Sequence, residues 1–191
     1  MLVWLMIMVG VIFLDQLTKW LTVINLEYIP WPGVPDTVPI IEDVFHFTYV
    51  RNEGAAFGIL KDQRWVFLVV STVAIIALSI YLWKNRNGSK LLNLGISFIV
   101  GGGIGNMIDR TLLGYVIDFL DFRLIDFAIF NVADSFVCVG VGLFALAVIL
   151  EEIKTSKKEK AAKLAASEAP TLDGTETVID NEERDTEADD R

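Results

Sequence analysis

Four long apolar stretches stand out along the chain because charged side chains are so sparsely placed within them. Leu2 to Leu14 carries no charge; Asp15, Gln16, Thr18 and Lys19 interrupt, and Trp20 to Leu26 resumes the apolar run. Trp65–Trp83 is 19 residues without a charge. Leu91–Met107 is a third such stretch, with Asn93 and Asn106 its most polar members, and Phe127–Leu150 is a fourth whose lone charged residue is Asp134. About 20 residues at 1.5 Å rise cross the hydrocarbon core of a bilayer. The pattern therefore predicts spans at about 2–26, 65–83, 91–108 and 127–150 and an all-α membrane protein with four transmembrane helices. The first stretch lacks the basic n-region and small-residue cleavage site of a secretory signal peptide, so it reads as a span.

Basic residues in the connections set the orientation. The short link Lys84–Lys90 carries Lys84, Arg86 and Lys90 and no acid, and Lys154, Lys157, Lys158, Lys160 and Lys163 follow the fourth span closely. Both segments are expected in the cytoplasm, with the N- and C-termini, which puts loops 27–64 and 108–126 outside. The first outer loop is too long for a bare connector. Its prolines favour extended and turn conformations, and Val44–Val50 (VFHFTYV), rich in β-branched and aromatic residues, predicts a strand. Arg51–Gly58 (RNEGAAFG) follows, with glycines where the backbone turns tightly or meets a ligand closely.

The overall charge of −9 is not evenly spread: seven basic and thirteen acidic residues between Glu151 and Arg191 account for −6 of it. Nothing resembles a basic nucleic-acid footprint. The segment 151–191 has few large apolar residues and is expected to be a charged, disordered cytoplasmic tail. One cysteine, Cys138, excludes an intrachain disulfide, and one histidine, His46, narrows the catalytic choices.

The polar residues inside or beside the apolar stretches are where chemistry is sought, because an ionisable group in a membrane is expensive. Asn131, Asp134, Ser135 and Cys138 fall at i, i+3, i+4 and i+7, one helical face. Ser135 and Cys138 there read as helix–helix hydrogen bonding, Asp134 as functional. Asn106, Asp109 and Arg110 share a second face, where an Asp109–Arg110 pair marking a helix end is the structural alternative. Gly101, Gly102, Gly103 and Gly105 suggest close packing, and Asp15 and Lys19 lie one turn apart in reach of each other. Ser–His catalysis would need His46, which lacks a neighbouring nucleophile signature. One His and one Cys leave a transition-metal site without its usual donors. Two Asp side chains held close can share a proton and hydrolyse an amide. Spacing alone leaves Asp118 competing with Asp121 and Asp126 as partner of Asp134, and a proton or cation pathway is the rival use of intramembrane acids.

The blocks GGGIGNMIDR…GYVIDF and FNVADS, with DQLTK in the first span and NEGAAFG in the outer loop, resemble the bacterial lipoprotein signal peptidases (signal peptidase II). The likeness covers roughly residues 10–150, with four motifs in the family's order. It implies a metal- and cofactor-free aspartic endopeptidase of the bacterial cytoplasmic membrane. Such an enzyme cuts diacylglyceryl-modified prolipoproteins before the lipidated cysteine, at the outer face. It implies catalytic roles for Asp118 and Asp134, and substrate-binding or site-shaping roles for Asn52, Gly54, Asn106, Arg110, Asn131, Asp15 and Lys19. It further implies a small extracytoplasmic β-rich element with a short helix over the site, contact with membrane lipid and sensitivity to globomycin; a monomer is the default expectation. Ala128 departs from the proline usual before FN-x-AD, and Gly103 from a more usual alanine or serine.

Overall fold

The protein is described from a computed structural model, covering residues 1–30, 36–54, 64–125 and 127–168. The stretch Ala55–Gly58, with any short helix there, and Asp126 lie outside these residues. Four helices are long and apolar enough to cross a membrane: α1 (Leu2–Asn25), α2 (Arg64–Lys84), α3 (Lys90–Leu112) and α4 (Val132–Glu168). Their exposed faces are apolar, as at Val69, Val73 and Ile76 of α2, which suits helices solvated by lipid.

The most buried of the four is α3. It begins where the Ser89 side chain accepts the Leu92 N–H at 3.4 Å. Small residues let its neighbours approach on three sides. A Cβ on Gly101 would lie 2.9 Å from Val11 of α1, one on Gly103 3.4 Å from Ile75 of α2, and one on Gly102 would collide with the Ala133 carbonyl of α4. Lower down, a Cβ on Gly95 would sit 2.8 Å from the Gly140 carbonyl of α4. Met8, Leu82, Leu92, Ile96, Val100 and Ala147 form the apolar core between the helices.

Two expected spans are redrawn. The third runs on to Leu112, so Asp109 and Arg110 belong to its last turn. The fourth starts at Val132 rather than 127, because residues 127–131 are not helical and Phe130 pairs with Leu120. Its helix also continues beyond Leu150 to Glu168, so the first part of the expected disordered tail is helical; residues 169–191 lie outside the described part. Residues 1–152 form one compact unit; in the second, residues 153–164 are helical and exposed.

A three-stranded antiparallel sheet, β1 (Thr37–Ile41), β2 (Phe45–Asn52) and β3 (Val116–Phe122), lies in the order β1-β2-β3. The expected strand at 44–50 is β2, while β3 forms where the sequence suggested only a loop. Gly114, at φ 89, reverses the chain between α3 and β3, a conformation open to glycine at little cost. Leu26, Tyr49 and Ile117 tie the sheet to the end of α1. The Arg51 guanidinium stacks 4.0 Å from the Tyr28 ring and 4.9 Å from that of Tyr115, fixing the end of β2 that carries Asn52.

Candidate active site

The start of α4 organises the site. A helix begins with N–H groups that have no partner within it. Here Asn131 Oδ1 accepts the Asp134 N–H at 2.9 Å, and Asp134 Oδ2 accepts the Asn131 N–H at 3.2 Å, a reciprocal capping box. Asp15 Oδ1, from α1, accepts the Ala133 N–H at 2.9 Å. Two carboxylates thus sit at the positive end of the α4 dipole, where negative charge is favoured.

Asn131 then reaches the sheet. Its Nδ2 donates to Asp118 Oδ1 at 2.7 Å and to Asn106 Oδ1 at 3.0 Å. Asn106 Nδ2 donates in turn to Asp134 Oδ1 at 2.7 Å. Asp118 and Asp134 are therefore joined through two asparagines, one from α3 and one from the cap of α4. The second Asp118 oxygen accepts from Asn52 Nδ2 at 2.8 Å, and Asn52 Oδ1 accepts the Gly54 N–H at 3.0 Å. Arg110 Nη2 donates to the Gly54 carbonyl at 3.4 Å, and its guanidinium stands 5.1 Å from the Phe67 ring. A cavity of about 470 Å³ opens before the two carboxylates, lined by Asn52, Asn106 and Arg110 as well as by Phe67, Val116 and Phe130. Burial, and after it the negative charge of Asp134, pushes the Asp118 carboxyl from an ordinary 3.8 up to about 7. The amide donors Asn52 and Asn131 pull the other way and lose.

Asp15 and Lys19 do not line this cavity; they are buried behind it. Lys19 Nζ has three donors and spends them on Asp15 Oδ2, Asp109 Oδ2 and Asn106 Oδ1, each at 2.9 Å. Gln16 Nε2 adds a bond to Asp109 Oδ1 at 3.0 Å. The Asp109–Arg110 pair offered as an alternative does not form, because successive helical residues diverge and Asp109 turns to α1 while Arg110 turns to the cavity. Gln16 and the partners of Asp109 escaped sequence reasoning, since spacing within DQLTK or GNMIDR says nothing of contacts between the two motifs.

The rivals of Asp118 separate by position. Asp121 is engaged on the sheet, accepting from Thr48 Oγ1 at 2.7 Å and Arg123 Nε at 3.1 Å, and is not among the cavity residues. His46 is buried in the sheet with Nδ1 3.2 Å from Thr37 Oγ1, also apart from the cavity. Ser135 donates to the Asn131 carbonyl of its own helix at 3.0 Å rather than across to another helix. Cys138 is exposed and lines the cavity with Ser135.

Four spanning helices, a small sheet and a carboxylate pair sunk at one end define a multi-pass membrane protein with an acid-lined cleft. The family model described as Signal peptidase (SPase) II matches residues 7–150. A lipoprotein signal peptidase of Brevibacillus brevis is 45% identical over 141 residues, 74% of this chain and 91% of that protein. One from Bacillus subtilis is 40% identical over 156 residues, 81% of this chain and 97% of that protein. A solved structure described as "Bacterial membrane enzyme structure by the in meso method at 2.3 A resolution" superposes with a TM-score of 0.71 at 32% identity, over 78% of this chain and 89% of that one. The chain belongs to the signal peptidase II family.

Proposed function

We propose that this peptidase works by aspartic catalysis, with Asp118 and Asp134 as the reacting pair. It removes the signal peptide from diacylglyceryl-modified prolipoproteins by cutting before the lipidated cysteine. The observation that carries this reading is the meeting of the two carboxylates in one cleft, Asp118 hydrogen-bonded to Asn131 and Asp134 to Asn106, with the two asparagines bonded to each other. Two such groups titrate as a pair and hold one proton between them. The ionised member takes a proton from water as the water attacks the scissile carbonyl, and the protonated member donates to the carbonyl oxygen. Collapse of the tetrahedral intermediate breaks the C–N bond; the leaving amine takes up a proton from the pair, and a hydroxyl of the intermediate returns one to it as the carboxyl product forms. Asn52 and Arg110, which line the cavity and are both bonded to Gly54, are suited to hold substrate backbone. Lys19 and Asp15 brace the site from behind.

The basic residues of Lys84–Lys90 and of 154–163 support cytoplasmic termini, which puts the cleft and sheet at the outer face of the bacterial cytoplasmic membrane. There a cleft between helices admits a substrate whose acyl chains stay in lipid. We assign the peptidase to residues 1–150, with 151–191 as a cytoplasmic extension, acting as a monomer and inhibited by globomycin. Purified protein incubated with a lipidated prolipoprotein should release a product shortened by the signal peptide. Proton or cation flux into liposomes without any cleavage would instead favour the transporter reading.

A further inference from the structure

Asp109 has no part in the chemistry above, yet it is among the most completely engaged side chains of the molecule. It is buried in the last turn of α3, and both its oxygens face donors only. Oδ1 accepts from Gln16 Nε2 at 3.0 Å; Oδ2 accepts from Lys19 Nζ at 2.9 Å and from the backbone N–H of Ile117 at 3.1 Å. That last bond falls on the residue before Asp118. β3 is an edge strand, with β2 along one side only, and an edge presents backbone amides that no strand satisfies. Beside Asp118 the open side is closed by Asp109, which takes the Ile117 N–H, and by Phe130, whose carbonyl takes the Phe119 N–H at 3.0 Å and the Leu120 N–H at 2.8 Å.

We propose that Asp109 is a positioning residue for Asp118. Its carboxylate stands in for a neighbouring strand at Ile117 and, clamped by Lys19 and Gln16 of α1, fixes the backbone from which Asp118 reaches the cleft. This deepens the aspartic reading and rests on it. The competing role is that of a mere charge partner for Lys19, and the two roles respond differently to substitution. Asp109→Asn loses the charge and its bond from Gln16, whose amino group is also held by the Gly105 carbonyl and Asp15, but keeps one oxygen for Ile117 and Lys19. Asp109→Leu fills similar space and offers Ile117 nothing.

The test measures kcat and KM separately for both full-length variants on a lipidated prolipoprotein, with amide hydrogen exchange over residues 116–120. Asp109→Leu should lower kcat about 100-fold, the scale expected when a reacting group shifts by an ångström. KM should stay within about threefold, since binding energy common to ground and transition states is untouched. Asp109→Asn should retain at least about tenfold more kcat than Asp109→Leu, and the Ile117 amide should exchange faster in the leucine variant alone. Equal kcat in the two variants, or wild-type kcat in Asp109→Leu, overturns the proposal. If Asp109→Leu does not accumulate, Asp109→Ser, too short to reach Ile117, is read in its place by the same criteria. Should Asp118→Asn still cut, the aspartic reading itself fails; should Asp118→Asn be dead while Asp109→Leu keeps its kcat, only the positioning role fails.

Discussion

Asp118 keeps its proton into the neutral range because burial and the nearby Asp134 charge both oppose its ionisation. Chemistry that needs one proton on the pair should therefore fade as pH rises through about 7, read as kcat/KM against pH. The same shift acts on stability. Between 3.8 and about 7 the folded chain holds a proton that the unfolded chain has released, so this group's contribution to stability falls as pH rises across that window. Asp118→Asn removes the titrating group. Its thermal unfolding midpoint in detergent should drop less than that of the wild type between pH 5 and pH 8. Asp118→Asn and Asp134→Asn should both insert normally and lose processing by about a thousandfold or more, since each removes a proton-transfer partner. Normal cleavage by both variants would refute the pair. Asp118 could not be chosen over Asp121 by spacing, since both sit in the same apolar strand. The contacts separate them, because Asp118 meets Asn131 while Asp121 is taken up by Thr48 and Arg123.

At the level of elements, α3 is a helix whose neighbours fit only because side chains are missing from it. A Cβ on Gly105 would come 2.5 Å from Asp15 Oδ2, the carboxylate that holds Lys19 and whose other oxygen caps α4. Gly105→Ala must displace that carboxylate. We expect a loss of about 1–3 kcal/mol, typical of overpacking, together with reduced activity from a shifted α4 start. Gly103→Ala meets Ile75 at an ordinary 3.4 Å and should be far milder. Unfolding midpoints of the two variants in one detergent check the contrast; equal midpoints would contradict it. The close packing of these glycines was legible in the sequence, whereas the partner of each was not. The late start of α4 was equally hidden, because Phe127–Phe130 is as apolar as the helix that follows. Only pairing of Phe130 with Leu120 shows that this stretch runs alongside a strand.

For the whole molecule, the compact unit ends near residue 152, and every residue placed in the cleft precedes it. Truncation after Lys160 should leave specific activity within about twofold, as expected for an exposed segment that supplies no residue of the cleft. A major loss in the purified, lipid-reconstituted protein would give the extension a role in catalysis. Four apolar helices, the existence of a polar cluster at their ends and one strand between the first two were determined by sequence alone. Hydropathy is a local property: twenty apolar residues must satisfy their own backbone within a helix wherever they meet lipid. What the cluster is made of was decided by tertiary structure. Asp15 caps a helix that starts more than a hundred residues later, Lys19 spends its three donors on α1 and α3, and Asn131 joins Asp118 to α4. A hydrogen bond demands about 3 Å between partners and is indifferent to their separation along the chain. The carboxylate pair of Asp118 and Asp134 thus exists only once α1, α3, β3 and α4 have come together.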